Sequence, residues 1–318
     1  MPADHSLWSW LGKRPQLPSR ARSKRSQSAI ARWHLLALLA ALATLPARAV
    51  GPPQRIISAS PNITEILYGV GAFDRVVAVS DYCTYPPAVK TLPRIGRWQD
   101  SNLEEIASLA PDLVLLADFQ APLLEGRLHD LGIRFLSIPT QSLEDVFTAI
   151  DTIGRVTGHE AQARVLAART RARLDAVRSR TRSLPRRRVL FVVDRSPGTL
   201  REMYAASQGS FLAELVEIAG GRCVGDRVPT GYSKISKEAV LTLAPDLIID
   251  MVHGAKGVLA EDPAAVWRDL PELRAVREGR VYPVRDEFLP HASQFVADTA
   301  ELLVRMIHPA EQDGKAGR

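Results

Sequence analysis

Two segments of this chain carry the same chemical groups in the same order, 134 residues apart. Residues 102–112 and 236–246 each pass from a helix-capping residue through a glutamate to Leu-Ala-Pro-Asp, and an apolar run follows. Glu104 and Glu238 occupy matching positions in the first helical turn, where the helix dipole favours a carboxylate. That local role is sufficient to explain both glutamates. The repeated helix-then-strand unit also predicts two similar lobes with a cleft between them.

Aromatic residues precede each copy of the repeat. Trp98 and Tyr232 both lie six residues before the matching glutamate, on the approach loop. Large aromatic side chains on loops bury poorly unless they contact a ligand or a partner. Tyr82, Phe119 and Phe288 lie on loops that follow predicted strands, where open α/β sheets bind their ligands. A cleft lined by these five rings suits a large, flat, partly apolar ligand.

The elements that must position these residues alternate between strand and helix, which predicts an α/β fold with parallel sheets covered on both faces. Short apolar runs predict strands at 55–60, 76–79, 113–116, 134–138, 188–193, 247–252 and 280–284. Helical spacing and caps predict helices at 62–69, 102–109, 121–131, 142–154, 160–182, 211–219, 238–243 and 292–307.

The helix over 160–182 divides the two series of strands. It contains no Gly or Pro, and a helix of this length spans on the order of 30 Å, so we expect a rigid strut. Its outer face is rich in Arg, which needs no special function. The chain is therefore predicted to comprise a signal peptide (1–49), an N-terminal α/β lobe (50–157), a linking helix (158–184), a C-terminal α/β lobe (185–308) and a tail (309–318).

The first 49 residues have the pattern of an export signal. Eight basic residues and one acidic residue lie there, followed within the segment by the apolar run 35–45 and by Ala47-Arg48-Ala49, which predicts cleavage near Ala49. A short membrane anchor is the alternative, although the run is about half the length of a membrane-spanning helix. The rest of the chain holds 33 basic and 34 acidic residues, so its charge gives no argument for nucleic acid.

Two cysteines, Cys83 and Cys223, fall in different predicted lobes. Export would permit a disulfide between them, and such a bridge would lock the lobes together. We expect two free, partly buried thiols and leave the disulfide as the alternative.

Four motifs resemble those of a known family. The segments Ile57–Leu67, Val79–Pro87, Ile95–Glu104 and Leu109–Val114 are similar to the vitamin B12/iron-chelate class of periplasmic substrate-binding proteins, which serve ABC importers. The resemblance covers roughly residues 54–308 and, within the class, is greatest to the branch that binds cobalamin. It implies two parallel-sheet α/β lobes joined by a single long interlobe helix. It also implies a periplasmic receptor for a corrinoid, without catalysis or a resident cofactor, and we expect a monomer.

The resemblance also implies roles for individual residues. Pro61, Tyr82 and Trp98 match residues that line the corrin pocket, and Tyr232 replaces a second-lobe Trp of the family. Asp286 matches a second-lobe acid near the last strand. The family carries one glutamate on each lobe that docks into Arg-lined pockets of the permease dimer. Those two positions are Glu104 and Glu238 in this sequence.

Haem and a ferric siderophore, two other ligands carried by the same importer class, are the alternatives. Haem iron could be ligated by Tyr82 or His253. An anionic ferric siderophore would require a cluster of arginines, which Arg97, Arg195 and Arg285 could supply. Binding of a free metal ion is disfavoured, because few histidines fall near the predicted cleft.

A periplasmic tetrapyrrole chelatase-like enzyme is the alternative of a different class. Nucleophilic catalysis there would need Cys83 or a serine beside a base and an orienting acid. The sequence contains no Gly-x-Ser-x-Gly elbow and no glycine-rich phosphate loop, so we expect no enzyme activity.

Overall fold

Two sheets, one from each half of the chain, are connected by a long helix in the computed structural model. The structure describes residues 51–225, 231–251, 263–284 and 288–309. Both sheets belong to one unit, Pro52–Arg318. The predicted signal peptide at 1–49, Asp286, His253 and Arg285 lie outside the described residues, as does the tail from residue 310 onward.

The first sheet is entirely parallel, with strand order β2-β1-β3-β4. Its strands are β1 Ile56–Ser58, β2 Val76–Val79, β3 Leu113–Ala117 and β4 Phe135–Ile138. Its helices are α1 Pro61–Gly69, α2 Leu103–Ser108, α3 Ala121–Asp130 and α4 Leu143–Thr157. Every residue of β1 and β3 is buried, as expected for central strands covered on both faces.

The second sheet has the order β10-β9-β5-β6-β8, and β7 pairs with one end of β5. Its strands are β5 Arg187–Asp194, β6 Met203–Ala206, β7 Gly221–Cys223, β8 Tyr232–Ile235, β9 Leu247–Met251 and β10 Val281–Val284. The long helix is α5 Glu160–Thr181, and the later helices are α6 Phe211–Ile218, α7 Lys237–Leu243, α8 Pro263–Trp267, α9 Arg274–Arg277 and α10 Val296–Ile307.

The α/β fold class is confirmed, but the second sheet is mixed rather than wholly parallel. β10, β9, β5 and β7 are parallel, whereas β6 runs antiparallel to both β5 and β8. Strands β6, β7 and β8 were not predicted, because each has only three or four residues and none contains a run of Val, Ile or Leu. β6 and β8 alternate instead: Tyr204 and Lys234 are exposed, while Met203, Ala205 and Ile235 are buried.

The helix predicted to end at Gly154 continues to Thr157. Gly158, which has a φ of 73°, forms its C-cap. Gly154 is therefore an interior residue of α4, and close packing explains it. A Cβ at this position would lie 2.3 Å from the Cβ of Ala163 on α5. The glycine lets the two helices approach each other.

One hydrophobic core spans both halves of the unit. Ile56 and Leu113 of the first sheet belong to the same buried cluster as Val189 and Leu247 of the second. Helix α5 contributes Leu166, Leu174 and Val177 to that cluster, so it packs on both halves. None of the helices among the described residues combines the length and apolarity needed to cross a bilayer.

Candidate ligand-binding site

Buried side chains connect the loops at the carboxyl edge of the first sheet. The Gln120 side chain donates to the Ala59 carbonyl over 2.9 Å and accepts from the Ala117 N–H over 2.8 Å, which joins the ends of β1 and β3. Thr140 donates to Asp118 over 2.6 Å and joins the loops after β3 and β4. These bonds hold the edge in one arrangement.

Three of the predicted ligand residues lie together at this edge. The rings of Trp98 and Phe119 pack edge to face with centroids 5.7 Å apart. The Tyr82 hydroxyl lies 3.4 Å from Oε1 of Gln99, next to Trp98. Tyr82 is 44% exposed and Phe119 53% exposed. We call Tyr82, Trp98 and Phe119 the aromatic surface; it offers apolar ring faces to a flat ligand.

Pro61 lies at the same edge. It is the first residue of α1, directly after the segment that follows β1, and it is partly exposed. Proline at the first helical position loses no intrahelical hydrogen bond, because that N–H would be unpaired in any case.

The loop that carries Trp98 is fixed by a tight turn. Gly96 has a φ of 85°, and a Cβ there would lie 2.9 Å from the Asp100 carbonyl. Arg97 donates to both carboxylate oxygens of Asp100, at 3.2 and 2.6 Å. These hydrogen bonds lower the pKa of the Asp100 carboxyl below its usual value. Arg97 is therefore engaged within its own loop.

Phe288 and Tyr232 occupy other surroundings. Phe288 packs against Phe295 at 4.5 Å and against Tyr85 of the first half at 5.5 Å. Tyr232 begins β8 and is half-buried against the shared core, where burial raises the pKa of its hydroxyl well above its usual value. The structure thus brings Tyr82, Trp98 and Phe119 together and places Phe288 in a separate group of rings.

A buried carboxylate that the sequence analysis missed connects the two halves. Glu65 on α1 is 1% exposed. It accepts from Ser293 Oγ over 2.5 Å and lies 2.6 Å from His291 Nδ1, while its carbonyl accepts from Gln294 Nε2 over 2.8 Å. We call these contacts the Glu65 tie. Its signal in the sequence was an acidic residue within the apolar spacing of α1.

Two of the arginines suggested for a siderophore are bound to acidic side chains. The side chain of Arg195 is 5% exposed and forms an ion pair with the fully buried Asp250 over 2.9 Å. The Trp267 indole donates to the same carboxylate over 2.7 Å. This buried group lies in the core of the second sheet. With Arg97 bound to Asp100, two of the three arginines suggested for a siderophore have acidic partners.

Both cysteines are free thiols. Cys83 is buried, with its Sγ 3.2 Å from Thr64 Oγ1 and 3.3 Å from Ser80 Oγ. Burial raises the pKa of the Cys83 thiol, which makes it a poor nucleophile. Burial likewise raises the pKa of Cys223 to about 11. Among the described residues, no three His, Cys, Asp or Glu side chains are grouped to hold a metal ion.

The repeated segments have the same structure. Asn102 caps α2 by accepting from the Glu105 N–H at 3.0 Å, and Ser236 caps α7 by accepting from the Ala239 N–H at 3.2 Å. Each helix is followed by an alanine with positive φ, 44° at Ala110 and 40° at Ala244. The repeat therefore extends from sequence to backbone conformation.

Each repeat ends on an aspartate that holds the start of a neighbouring strand. Asp112 accepts from the Arg55 N–H at 3.0 Å, and Asp246 accepts from the Arg188 N–H at 2.8 Å. The same two arginines donate side-chain bonds to the last turn of α2 and α7 respectively. We call these the aspartate clamps. The matching arginines, 133 residues apart, were not recognised in the sequence.

Glu104 and Glu238 are exposed in the first turns of α2 and α7. Because both helices end at the aspartate clamps, where strands begin, their first turns point toward the carboxyl edges of the sheets. A hydrogen bond with the Ser236 side chain lowers the pKa of Glu238 below its usual value. Each glutamate of the matched pair thus lies toward the carboxyl edge of its own sheet, and Glu104 lies toward the edge that carries the aromatic surface.

The two-sheet fold and the edge site place the chain in a known class. Residues 56–287 match the Peripla_BP_2 family, periplasmic binding protein. The chain belongs to this family, whose members are substrate-binding proteins and not enzymes.

Similar proteins include the vitamin B12-binding protein of Yersinia pestis (strain Pestoides F). It is 35% identical over 243 residues, which cover 74% of this chain and 80% of that protein. The crystal structure of the periplasmic vitamin B12 binding protein BtuF of Vibrio cholerae is 26% identical with a TM-score of 0.68, and covers 82% of this chain and 99% of its own. A periplasmic heme binding protein from Pseudomonas aeruginosa shares the fold at 24% identity with a TM-score of 0.69, covering 81% and 94%.

Proposed function

We propose that this protein captures a corrinoid of the vitamin B12 type in the periplasm and delivers it to an ABC import permease. The observation that carries the proposal is the aromatic surface, at the edge of a chain that is 35% identical to a vitamin B12-binding protein. The ligand is cargo, so no resident cofactor is required. We further propose export with cleavage near Ala49 and a monomeric receptor.

The chemistry of the aromatic surface supports this choice. A corrin ring is broad, flat and partly apolar, and exposed ring faces gain from covering such a surface. The Gln120 and Asp118 bonds behind the loops hold the rings before the ligand arrives. Such preorganisation lowers the conformational cost of binding.

We propose that the ligand is held between two lobes, residues 50–157 and 185–308, with 158–184 as the connection. Pro61 completes the first wall, while Tyr232, Asp286 and Phe288 contribute from the second lobe. The shared core and the Glu65 tie support small movements on binding instead of wide closure.

Delivery would use Glu104 and Glu238, one from each half. Both are exposed, both lie in a capped first turn, and each points toward the carboxyl edge of its own sheet. A matched pair of negative charges suits a permease dimer that presents one arginine-lined pocket from each subunit.

Haem is the second candidate, because Tyr82 offers an exposed phenol within the aromatic surface. Phenolate is a known haem iron ligand. The likeness of the fold to haem-binding proteins is compatible with this choice.

Calorimetry and absorbance titrations of the purified protein with cyanocobalamin, haemin and a ferric siderophore distinguish these functions. We expect saturable binding of cyanocobalamin at one site. Absence of heat with cyanocobalamin, together with a shifted haem spectrum, would assign the protein to haem. Conversion of a porphyrin and metal into product would contradict a binding role altogether.

A further inference from the structure

Positive charge is concentrated on one segment of the chain. Residues 160–188, which contain α5 and the connection to β5, hold ten arginines and two acidic residues. The rest of the predicted mature chain, residues 50–159 and 189–318, holds 23 basic and 32 acidic residues. The predicted mature chain is therefore near neutral in net charge only because a strongly basic segment offsets an otherwise acidic protein.

The positive charge lies on the exposed side of α5. Its opposite side packs on the core through Ala163, Leu166, Ala167, Thr170, Leu174, Val177 and Thr181. The exposed side carries two rows of arginine at helical spacing: Arg164, Arg171, Arg178 and Arg182 in one, Arg169 and Arg180 in the other. Between the rows lie two small side chains, Ala168 and Ala172, and the exposed Val165. We call the two rows the basic helix face.

Some of these charges are neutralised locally. Arg178 pairs with Asp175 at 2.6 Å, and Arg171 lies 3.9 Å from Glu144 of α4. Arg173, beside the second row, binds Asp298 and Glu301 of α10 at 2.8 and 3.0 Å. By contrast, four arginines form no ion pair with any residue that the structure describes: Arg164, Arg169, Arg180 and Arg182.

The basic helix face lies away from the ligand edge. The Thr157 carbonyl, just before α5, accepts from Arg75, which directly precedes β2. The other end of α5 leads into the first residue of β5. Both ends of the helix are thus at strand beginnings, whereas the aromatic surface lies where strands end. A partner on the basic helix face would leave the ligand edge accessible.

We infer that the basic helix face docks onto an anionic phospholipid surface. The four unpaired arginines span 18 residues, or about 27 Å of helix. Two of them lie in each row, so their side chains leave the helix in two different directions. A fluid layer of anionic head groups can meet both rows at once, whereas a folded acidic partner would need a concave surface matched to them. We choose lipid as the partner on the basis of the proposed function, because a periplasmic protein lies between two membranes.

The docking is expected to be electrostatic and peripheral. Between the arginine rows, one valine and two alanines give little apolar area to insert, so attraction comes mainly from the charges. A salt concentration of about 0.5 M shortens the screening length to a few ångströms and should release the protein.

Sedimentation with lipid vesicles tests the inference. The protein is the mature form from Val50, which contains the whole Pro52–Arg318 unit. The vesicles are phosphatidylcholine alone or an equal mixture with phosphatidylglycerol. The test variant carries R164Q, R169Q, R180Q and R182Q, since glutamine keeps helix propensity. A matched control removes four exposed positive charges elsewhere: K90Q, R127Q, R201Q and R268Q.

We expect wild type to sediment with the phosphatidylglycerol vesicles at low salt and not with phosphatidylcholine alone. The test variant should lose at least ten-fold in apparent affinity, while the control, which has the same net charge, loses about two-fold or less. Equal losses in both variants would show a net-charge effect and overturn the inference, as would wild type that fails to sediment. Binding to immobilised polyglutamate without vesicle binding would assign the face to an acidic protein instead.

Corrinoid titration of the test variant separates this inference from the proposed function. We expect unchanged affinity, because the substituted arginines are exposed and lie away from the aromatic surface. A protein that binds lipid but no corrinoid would refute the proposed ligand and leave the lipid docking standing.

Discussion

Trp98 is the residue at which the binding proposal is most directly tested. It packs edge to face on Phe119 and is half-buried on a loop fixed by Gly96. We expect Trp98→Ala to weaken cyanocobalamin binding by at least ten-fold, about 1.4 kcal/mol, because one ring face of the surface is lost. Calorimetry measures the change.

Leu131→Ala is the matched control for Trp98. Leu131 is 48% exposed after the end of α3, away from the aromatic surface. Its substitution should leave affinity within two-fold of wild type. A Trp98 variant with wild-type affinity would place the ligand elsewhere.

The half-buried Cys223 gives the protein a defined response to alkaline pH. Its thiol has a pKa of about 11 in the folded protein against 9.0 ordinarily. Between these values the unfolded chain releases the proton and the folded protein keeps it, so stability falls as pH rises from 9 through 11. The full effect is on the order of 3 kcal/mol.

Urea unfolding of wild type and Cys223→Ala, under reducing conditions at pH 8 and pH 10.5, measures this effect. Wild type should lose more stability than the variant over that interval. Parallel losses would show that the Cys223 thiol does not titrate differently in the two states.

At the scale of elements, strand–helix alternation was enough to predict the first sheet. Its strands are continuous apolar runs, and the observed bounds of β3 differ from the prediction by one residue. β6 and β8 could not be found in this way, because a short half-exposed strand depends on its partner for burial. The end of α4 was misplaced for a similar reason: Gly154 is explained by contact with Ala163 and not by its own conformational freedom.

The aspartate clamps predict equal losses of stability in the two halves. Asp112→Ala and Asp246→Ala each remove an acceptor for a strand-starting N–H, and we expect each to cost about 1–2 kcal/mol of unfolding free energy. Denaturant titration is the measurement. Asp130→Ala, at an exposed position on α3, should cost less than about 0.5 kcal/mol. A clear loss in one clamp alone would show that the repeats are not energetically equivalent.

For the whole molecule, the sequence predicted one cleft lined by five aromatic rings, and the structure brings three of them together at one edge. Tyr82 follows β2 and Phe119 follows β3, the two strands that flank β1, and Trp98 precedes a helix at the same edge, so the parallel sheet gathers them. The surroundings of Phe288 could not be predicted, because they depend on the contact of the residues after β10 with Tyr85 of the first half. The same stretch of chain carries the residues that form the Glu65 tie.

If Glu104 and Glu238 dock onto the permease, their substitution should stop transport without weakening ligand binding. We expect Glu104→Lys combined with Glu238→Lys to abolish uptake of labelled cyanocobalamin by cells that depend on this protein. Both glutamates are exposed, so ligand affinity should remain within two-fold of wild type. Asp130→Lys with Glu272→Lys makes the same charge change at exposed positions and should retain uptake. Loss of ligand affinity in the glutamate variant would contradict a docking role.

The core shared by both sheets has a consequence for how the protein can be divided. A cut between α4 and α5 would leave each fragment with a large apolar face and would remove the partners of Glu65 from the first fragment. We expect fragments 50–158 and 159–318, made separately, to be unfolded or aggregated, and the intact protein to melt in one transition. Circular dichroism and calorimetry would show this. Independent folding of either fragment would mean that the halves are autonomous modules, exchangeable between receptors, instead of one cooperative body.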